Sequence, residues 1–272
     1  MSFSPRLLTE TAEIAFTEIK HFMEPRLMEL FSLRRVSPPL FLPVDSPLLD
    51  FRYPGVKITL DGMEGDSEIV GSLDVWLRNQ LALYDIAPDF GVFAIMNAIR
   101  PSLKVNPSSS PYVTAWAWQQ AKDRQKANAK TLVAAAKKVY ALLVETEKMI
   151  LDMFPHLTAT LQRNLDVIEV EELARKYPDY GDERRIYEHL HPRPSSDHKG
   201  GRHCAALFVH RGSGTPALDG QLWVWNRILN RPLLIVDMSM WEKDSIAGWS
   251  VGGNIYRDYL ALQLLHQDRL LV

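Results

Sequence analysis

Gln221-Leu-Trp-Val-Trp-Asn-Arg-Ile-Leu-Asn-Arg-Pro-Leu-Leu-Ile-Val-Asp-Met-Ser-Met240 contains two short apolar runs, residues 221–228 and 232–240, with Asn230-Arg231 between them. The first run holds Trp223, Val224, Trp225 and Ile228 and the second Ile235 and Val236, both short and strand-like, so the stretch predicts an antiparallel hairpin rather than a helix. A third run of the same kind, residues 204–210, precedes it and predicts a further strand. Upstream, residues 112–118 place Tyr112, Thr114, Trp116 and Trp118 on one side of a strand and Val113, Ala115 and Ala117 on the other. The tryptophans at 116, 118, 223 and 225 alternate along strands, which suits core or pocket lining better than base stacking.

Helices frame this set. Residues 8–30 repeat apolar positions every three or four residues and predict an amphipathic helix with a kink at Pro25. The five prolines at 38, 39, 43, 47 and 54 predict an extended, irregular passage. Short strands are expected at 56–60 and 68–70, followed by a helix after Ser72, and a strand is expected at 92–99. Residues 128–154 carry the clearest helical stripe, ended by Pro155. A strand at 165–170 and a short helix at 171–176 follow. The polar stretch 180–203 reads as a mobile insertion, and residues 254–265 predict a last helix entered through Gly252-Gly253. The order predicts one α+β domain over 1–272, with a central, mostly antiparallel sheet of roughly six to eight strands flanked by helices.

Composition narrows the function. The 272 residues are 46% hydrophobic and 24% charged, enough apolar surface for a packed core. Thirty-one basic against 33 acidic residues leave a net charge of -2, which discourages a nucleic-acid partner. Cys204 is the single cysteine, excluding an internal disulfide framework and pointing to a reducing compartment. With no secretory leader and no run of about 18 apolar residues, the expectation is a cytoplasmic protein without membrane association.

Four separated segments resemble the asparagine synthetase A family, the aspartate–ammonia ligases built on the catalytic fold of class II aminoacyl-tRNA synthetases. They are Val70-Gly-Ser-Leu-Asp-Val-Trp-Leu-Arg78; Asn97-Ala-Ile-Arg-Pro101 with Tyr112-Val-Thr-Ala-Trp-Ala-Trp118; Glu172-Leu-Ala-Arg-Lys-Tyr-Pro-Asp179; and Asp219-Gly-Gln-Leu-Trp-Val-Trp-Asn226. Gly252-Gly-Asn-Ile-Tyr-Arg257 closes the set in family order. The resemblance implies a class II synthetase-like core and a ligase that forms an amide-type bond on an amino acid or related carboxylate through an acyl adenylate. It also implies a homodimer paired through early segments, an arrangement that the apolar length of residues 37–53 suits.

By the same resemblance, Arg100 and Arg257 anchor phosphate or carboxylate charge, Ser72 orients substrate, and Asp50 receives the amine and acts as its base. Arg78, Trp116 and Ser239 join the substrate-contacting positions. Against these roles stand ordinary ones: a surface arginine, a cap, a turn aspartate. Asp237 is preferred to Leu234 as a metal carboxylate.

The departures are equally specific. Leu77 replaces a family lysine, Ala115 and Ala117 replace a glutamine and an aspartate, Gln221 replaces a magnesium-holding aspartate, and the loop bearing the family's ATP-binding arginine is missing between 210 and 221. Lost charges of this kind count against ATP and Mg2+. They predict a repurposed relative, with two alternatives: a silent amino-acid-binding or partner paralogue, or an acyl transferase using aminoacyl-tRNA. His189, His191, His198 and His203 with Asp197 and Cys204 match no standard zinc framework and read as a solvated loop, with a metal site as the alternative.

Overall fold

The computed structural model describes residues 9–99, 101, 111–157, 159–191, 205–211, 218–226, 230–243 and 246–253. In chain order they form α1 (Thr9–Leu30), β1 (Leu33–Arg35), β2 (Phe41–Pro43), β3 (Val56–Thr59), β4 (Asp66–Ile69), α2 (Asp74–Leu83), β5 (Gly91–Ile99) and β6 (Tyr112–Asp123). Then come α3 (Ala129–Met153), β7 (Asp166–Glu169), α4 (Val170–Lys176), α5 (Asp182–Leu190), β8 (Ala205–Arg211), β9 (Leu218–Asn226), β10 (Arg231–Lys243) and β11 (Ile246–Gly253). Eight strands make one sheet in the order β1-β5-β6-β11-β10-β9-β8-β7, and β2, β4 and β3 make a smaller antiparallel one. Only the outermost pairs, β1 with β5 and β7 with β8, are parallel. The α+β class and the mostly antiparallel sheet are as the sequence predicts.

Strand alternation divides the large sheet into two working faces. Leu222 and Val224 of β9, Trp116 and Trp118 of β6, and Trp249 and Val251 of β11 pack with Ile19, Met23 and Leu27 of α1 and Leu132, Val139 and Leu143 of α3. Trp118 and Trp249 are each 1% exposed, and burying a side chain of that kind stabilises by roughly 2–3 kcal/mol. The opposite face carries α2 against Val92, Ala94, Ala115 and Ala117 at one end, and α4 and α5 against Phe208 and Trp225 at the other. Between those two covers no helix of the described residues lies on the second face, and the cavity described below lies there.

Several boundaries differ from the sequence reading for identifiable reasons. α3 starts after Asn128, whose side chain accepts from the Thr131 backbone while Thr131 bonds back, a capping box that fixes the first turn. Pro25 sits inside α1 without ending it. Residues 182–190, expected within a polar insertion, form α5, because Ile186, Tyr187 and Leu190 pack onto Phe208 and Trp225 while Asp182, Glu183 and Arg184 remain outside. β11 is a strand the sequence reading did not contain. The expected last helix at 254–265 lies outside the described residues.

Candidate active site

The cavity on the open face has a volume of about 520 Å3. Its floor comes from β9 and β10, where Gln221 stands opposite Asp237 and Asp219 opposite Ser239, all four lining the cavity. A register irregularity between Leu234 and Val236 sets this alignment: it keeps Ile235 and Val236 both in the helix-side core while Asp237 and Ser239 face the cavity. Met96, Ala115 and Ala117 form an apolar side, and Arg52, Tyr53, Ser72 and Asp74 form a polar one.

The polar side is tightly bonded. Asp50 is 5% exposed, and each of its carboxylate oxygens accepts two hydrogen bonds. Oδ1 accepts from Arg52 Nε at 2.9 Å and the Arg52 backbone N–H at 3.1 Å. Oδ2 accepts from Arg52 Nη2 at 2.8 Å and the Ser72 hydroxyl at 3.1 Å. Burial alone would raise the Asp50 carboxyl, but the bonds and charge of Arg52, with the Ser72 bond, hold it below the ordinary carboxylate range. Arg52 Nη2 also reaches Asp74 Oδ2 at 3.4 Å. Arg52 Nη1 has no hydrogen-bond partner among the described residues, and Arg52 is the cation lining the cavity there. The Ser72 oxygen in turn accepts from the Asp74 backbone N–H at 3.2 Å, so it serves the first turn of α2 and the site together.

The floor has the opposite character. Desolvation raises Asp219, against the pull of His210 and Arg52. Desolvation, then the charges of Asp219 and Asp74, push Asp237 up to about 6. Asp219 Oδ1 is buried without a hydrogen-bond partner among the described residues. Two carboxylates that repel each other, one with a buried oxygen that has no donor among the described residues, fit a divalent cation, and Mg2+ is commonly held by one or two carboxylates plus substrate phosphates. Asp219 lies two residues from Gln221 on the same face of β9, so it adds a carboxylate beside that amide on the cavity floor.

Each expected site residue has a place. Ser72, Asp237 and Ser239 line the cavity. Trp116 borders it, but its ring belongs to the core beneath α1, where Nε1 donates to Glu24 Oε1 at 3.2 Å. Asp50 stands behind Arg52 and Ser72. Arg78 lies over the Trp241 ring at 5.3 Å. Its guanidinium is lowered by burial, and its Nε lacks a hydrogen-bond partner among the described residues. Leu77 is fully buried beside Leu73 and Leu81. Arg100 and Arg257 lie outside the described residues, as do His198, His203, Asp197 and Cys204. His189 is buried and pairs with Asp166 at 2.9 Å, so it is not part of a solvated loop, and the half-buried His191 packs its ring on Tyr187 and Trp225. Among the described residues, no group of three or more His, Cys, Asp or Glu is placed to hold a metal.

The sequence reading missed Arg52, Asp74 and Asp219. Arg52 follows Asp50 by two positions, and Asp219 lies two positions before the start of the strand predicted at 221–228; that period-two spacing was the available signal for Asp219.

The family model described as Aspartate-ammonia ligase matches residues 10–194. The chain belongs to the aspartate–ammonia ligase family. Members of this ligase family include the Aspartate--ammonia ligase of Bacteroides fragilis, 28% identical over 267 residues that span 88% of this chain and 74% of the relative. That of Fusobacterium nucleatum is 31% identical over 205 residues, 74% of this chain and 59% of the relative. Entamoeba histolytica asparaginyl-tRNA synthetase in complex with asparaginyl-adenylate superposes with a TM-score of 0.64 at 11% identity, over 94% of this chain and 64% of the synthetase. The Pyrococcus horikoshii enzyme, also with asparaginyl-adenylate, gives 0.63 at 11% identity and covers 94% and 66%. The ligase-family chain therefore has the class II synthetase core and spans just under two thirds of the Entamoeba protein.

Proposed function

We propose that this member of the family is an amide-forming ligase that activates the carboxylate of an amino acid, or a related carboxylate, with Mg-ATP as substrate and passes the acyl group to a nitrogen nucleophile. The observation that carries this reading is the Asp219–Asp237 pair on the cavity floor, facing Arg52 and Ser72 on the polar side. ATP supplies the leaving group, converting a carboxylate into a mixed anhydride with AMP.

The chain's own residues then divide the work. Asp219 and Asp237 hold the cation that accompanies the phosphates, relieving their mutual repulsion. Arg52 presents Nη1 to a substrate carboxylate, and Asp50 fixes the angle of that guanidinium and of the Ser72 hydroxyl. Asp50 therefore works as a positioning residue, since four donors occupy its oxygens. The walls of Met96, Ala115 and Ala117 favour a substrate less polar than aspartate. Arg100 and Arg257 complete the reading as anchors of phosphate or carboxylate charge. Homodimerisation through residues 37–53 belongs to it as well, supported by Phe51, which is 79% exposed.

Incubating the protein with Mg-ATP, ammonium and each standard amino acid in turn, then measuring AMP and amide product by mass spectrometry, tests the proposal. AMP and an amide formed together support it. Amino-acid binding without AMP would point to a silent binding paralogue instead.

A further inference from the structure

A second cavity of about 250 Å3 adjoins the first, and Asp219 and Gln221 line both. Its other described walls are Val170 and Leu173 of α4, Asp182 and Ile186 of α5, and Phe208 and His210 of β8. The register explains the junction: Phe208 stands opposite Gln221 and His210 opposite Asp219. Four of those six residues are apolar. Asp182 forms an exposed ion pair with Arg185 at 2.9 Å. The second cavity thus joins an apolar chamber to the carboxylate floor of the reaction site through one acidic side chain.

Bare ammonia has no use for such a chamber. An apolar cavity of about 150 Å3 accepts a benzene ring, so this one has room for a small alkyl or aryl group. We propose that the second cavity is the subsite of the nitrogen nucleophile and that it takes a primary amine carrying a small apolar substituent, its tail among Val170, Leu173, Ile186 and Phe208 and its nitrogen at the junction with the reaction site beside Gln221. The inference rests on the amide-forming reading above and names its acceptor.

The step balances. The ammonium gives one proton to water, leaving a free amine. The nitrogen lone pair forms the C–N bond to the activated acyl carbon, and the C–O bond to AMP breaks with its electrons leaving on AMP. The remaining excess proton on nitrogen departs to water.

Calorimetry of benzylamine and of ammonium on the full chain, without nucleotide, reads the subsite directly. Amide formation with the two nucleophiles in competition reads its use. Val170→Phe and Ile186→Trp narrow the chamber from two different helices. The expected results are saturable benzylamine binding, weakened at least tenfold in both variants, and a benzylamine-to-ammonia ratio of kcat/KM above ten that falls at least tenfold in the variants. A ratio of rates is insensitive to partial loss of folded protein. No benzylamine binding, or binding and a ratio that neither variant changes, would overturn the subsite whatever the ATP chemistry does. Benzylamine binding weakened by both variants, with no AMP formed under any condition, leaves the subsite standing and removes the ligase reading.

Discussion

At Asp50 and Arg52 the two ends of one ion pair differ sharply in exposure: the carboxylate is 3% exposed at its side chain and the guanidinium 54%. Removing one member therefore has unequal consequences. Arg52→Ala strands a buried carboxylate and should cost about 3 kcal/mol, whereas Asp50→Ala releases a cation that water already reaches and should cost about 1 kcal/mol. Urea unfolding of the two variants and of the double variant checks this; equal costs would show that the pair is not asymmetric. The linkage has a definite sign. Because the folded-state pKa of Asp50 is depressed, its contribution is present above the ordinary carboxylate pKa and lost as pH falls through the folded value. Asp237 runs the other way. Its pKa moves from 3.8 to about 6, so the folded state binds that proton more tightly. The resulting stabilisation is complete below about pH 4 and lost as pH rises through about 6. Asp237→Asn, measured in chelator, should therefore exceed the wild type at pH 8 by on the order of 2 kcal/mol and match it near pH 4. A variant equally stable or weaker at pH 8 would show that the carboxylate is not strained.

Among the elements, β11 illustrates what the sequence left unread. Gly248, Ser250 and Gly252-Gly253 dilute its apolar alternation, yet it lies between β6 and β10 in the middle of the sheet. Its small residues meet close neighbours. A Cβ at Gly248 would lie 2.3 Å from the Trp241 ring and 2.5 Å from the Gln120 carbonyl oxygen. Behind it, Gln119 accepts from Trp241 Nε1 at 2.8 Å and donates to Ser250 Oγ at 2.7 Å, while Ser250 lines the cavity. Gly248→Ala is expected to lower stability by about 1–3 kcal/mol and to disturb this network; thermal unfolding indistinguishable from wild type would contradict the packing. The hairpin of β9 and β10 was legible because apolar runs around a turn have a short-range signature, and α3 because its stripe is long. α5 was not, since its helix depends on Ile186 and Leu190 meeting strands far away in sequence. At the site, Ser72 and Asp237 could be reached through motif order, whereas Arg52 became visible only once the fold brought Asp50, Asp74 and Ser72 together.

For the molecule as a whole, the described part of the sheet has helices over its two ends and the cavity between them, so side chains carried by distant segments meet at the β9–β10 floor. No helix among the described residues is long and apolar enough to cross a membrane. Exposed Leu40 and Phe51 belong to the early passage through which the dimer is proposed to form. Sedimentation should give twice the chain mass for the wild type and a shift toward the monomer for Phe51→Asp; a wild-type monomer at micromolar concentration would remove that part of the reading. The decisive measurement is amino-acid-dependent exchange of labelled pyrophosphate into ATP, for the wild type and for Asp219→Asn and Asp237→Asn. The carboxylate pair predicts Mg-dependent exchange stimulated by at least one amino acid and reduced at least tenfold in each variant. Exchange in neither the presence nor the absence of any amino acid, from folded wild-type protein, would contradict it.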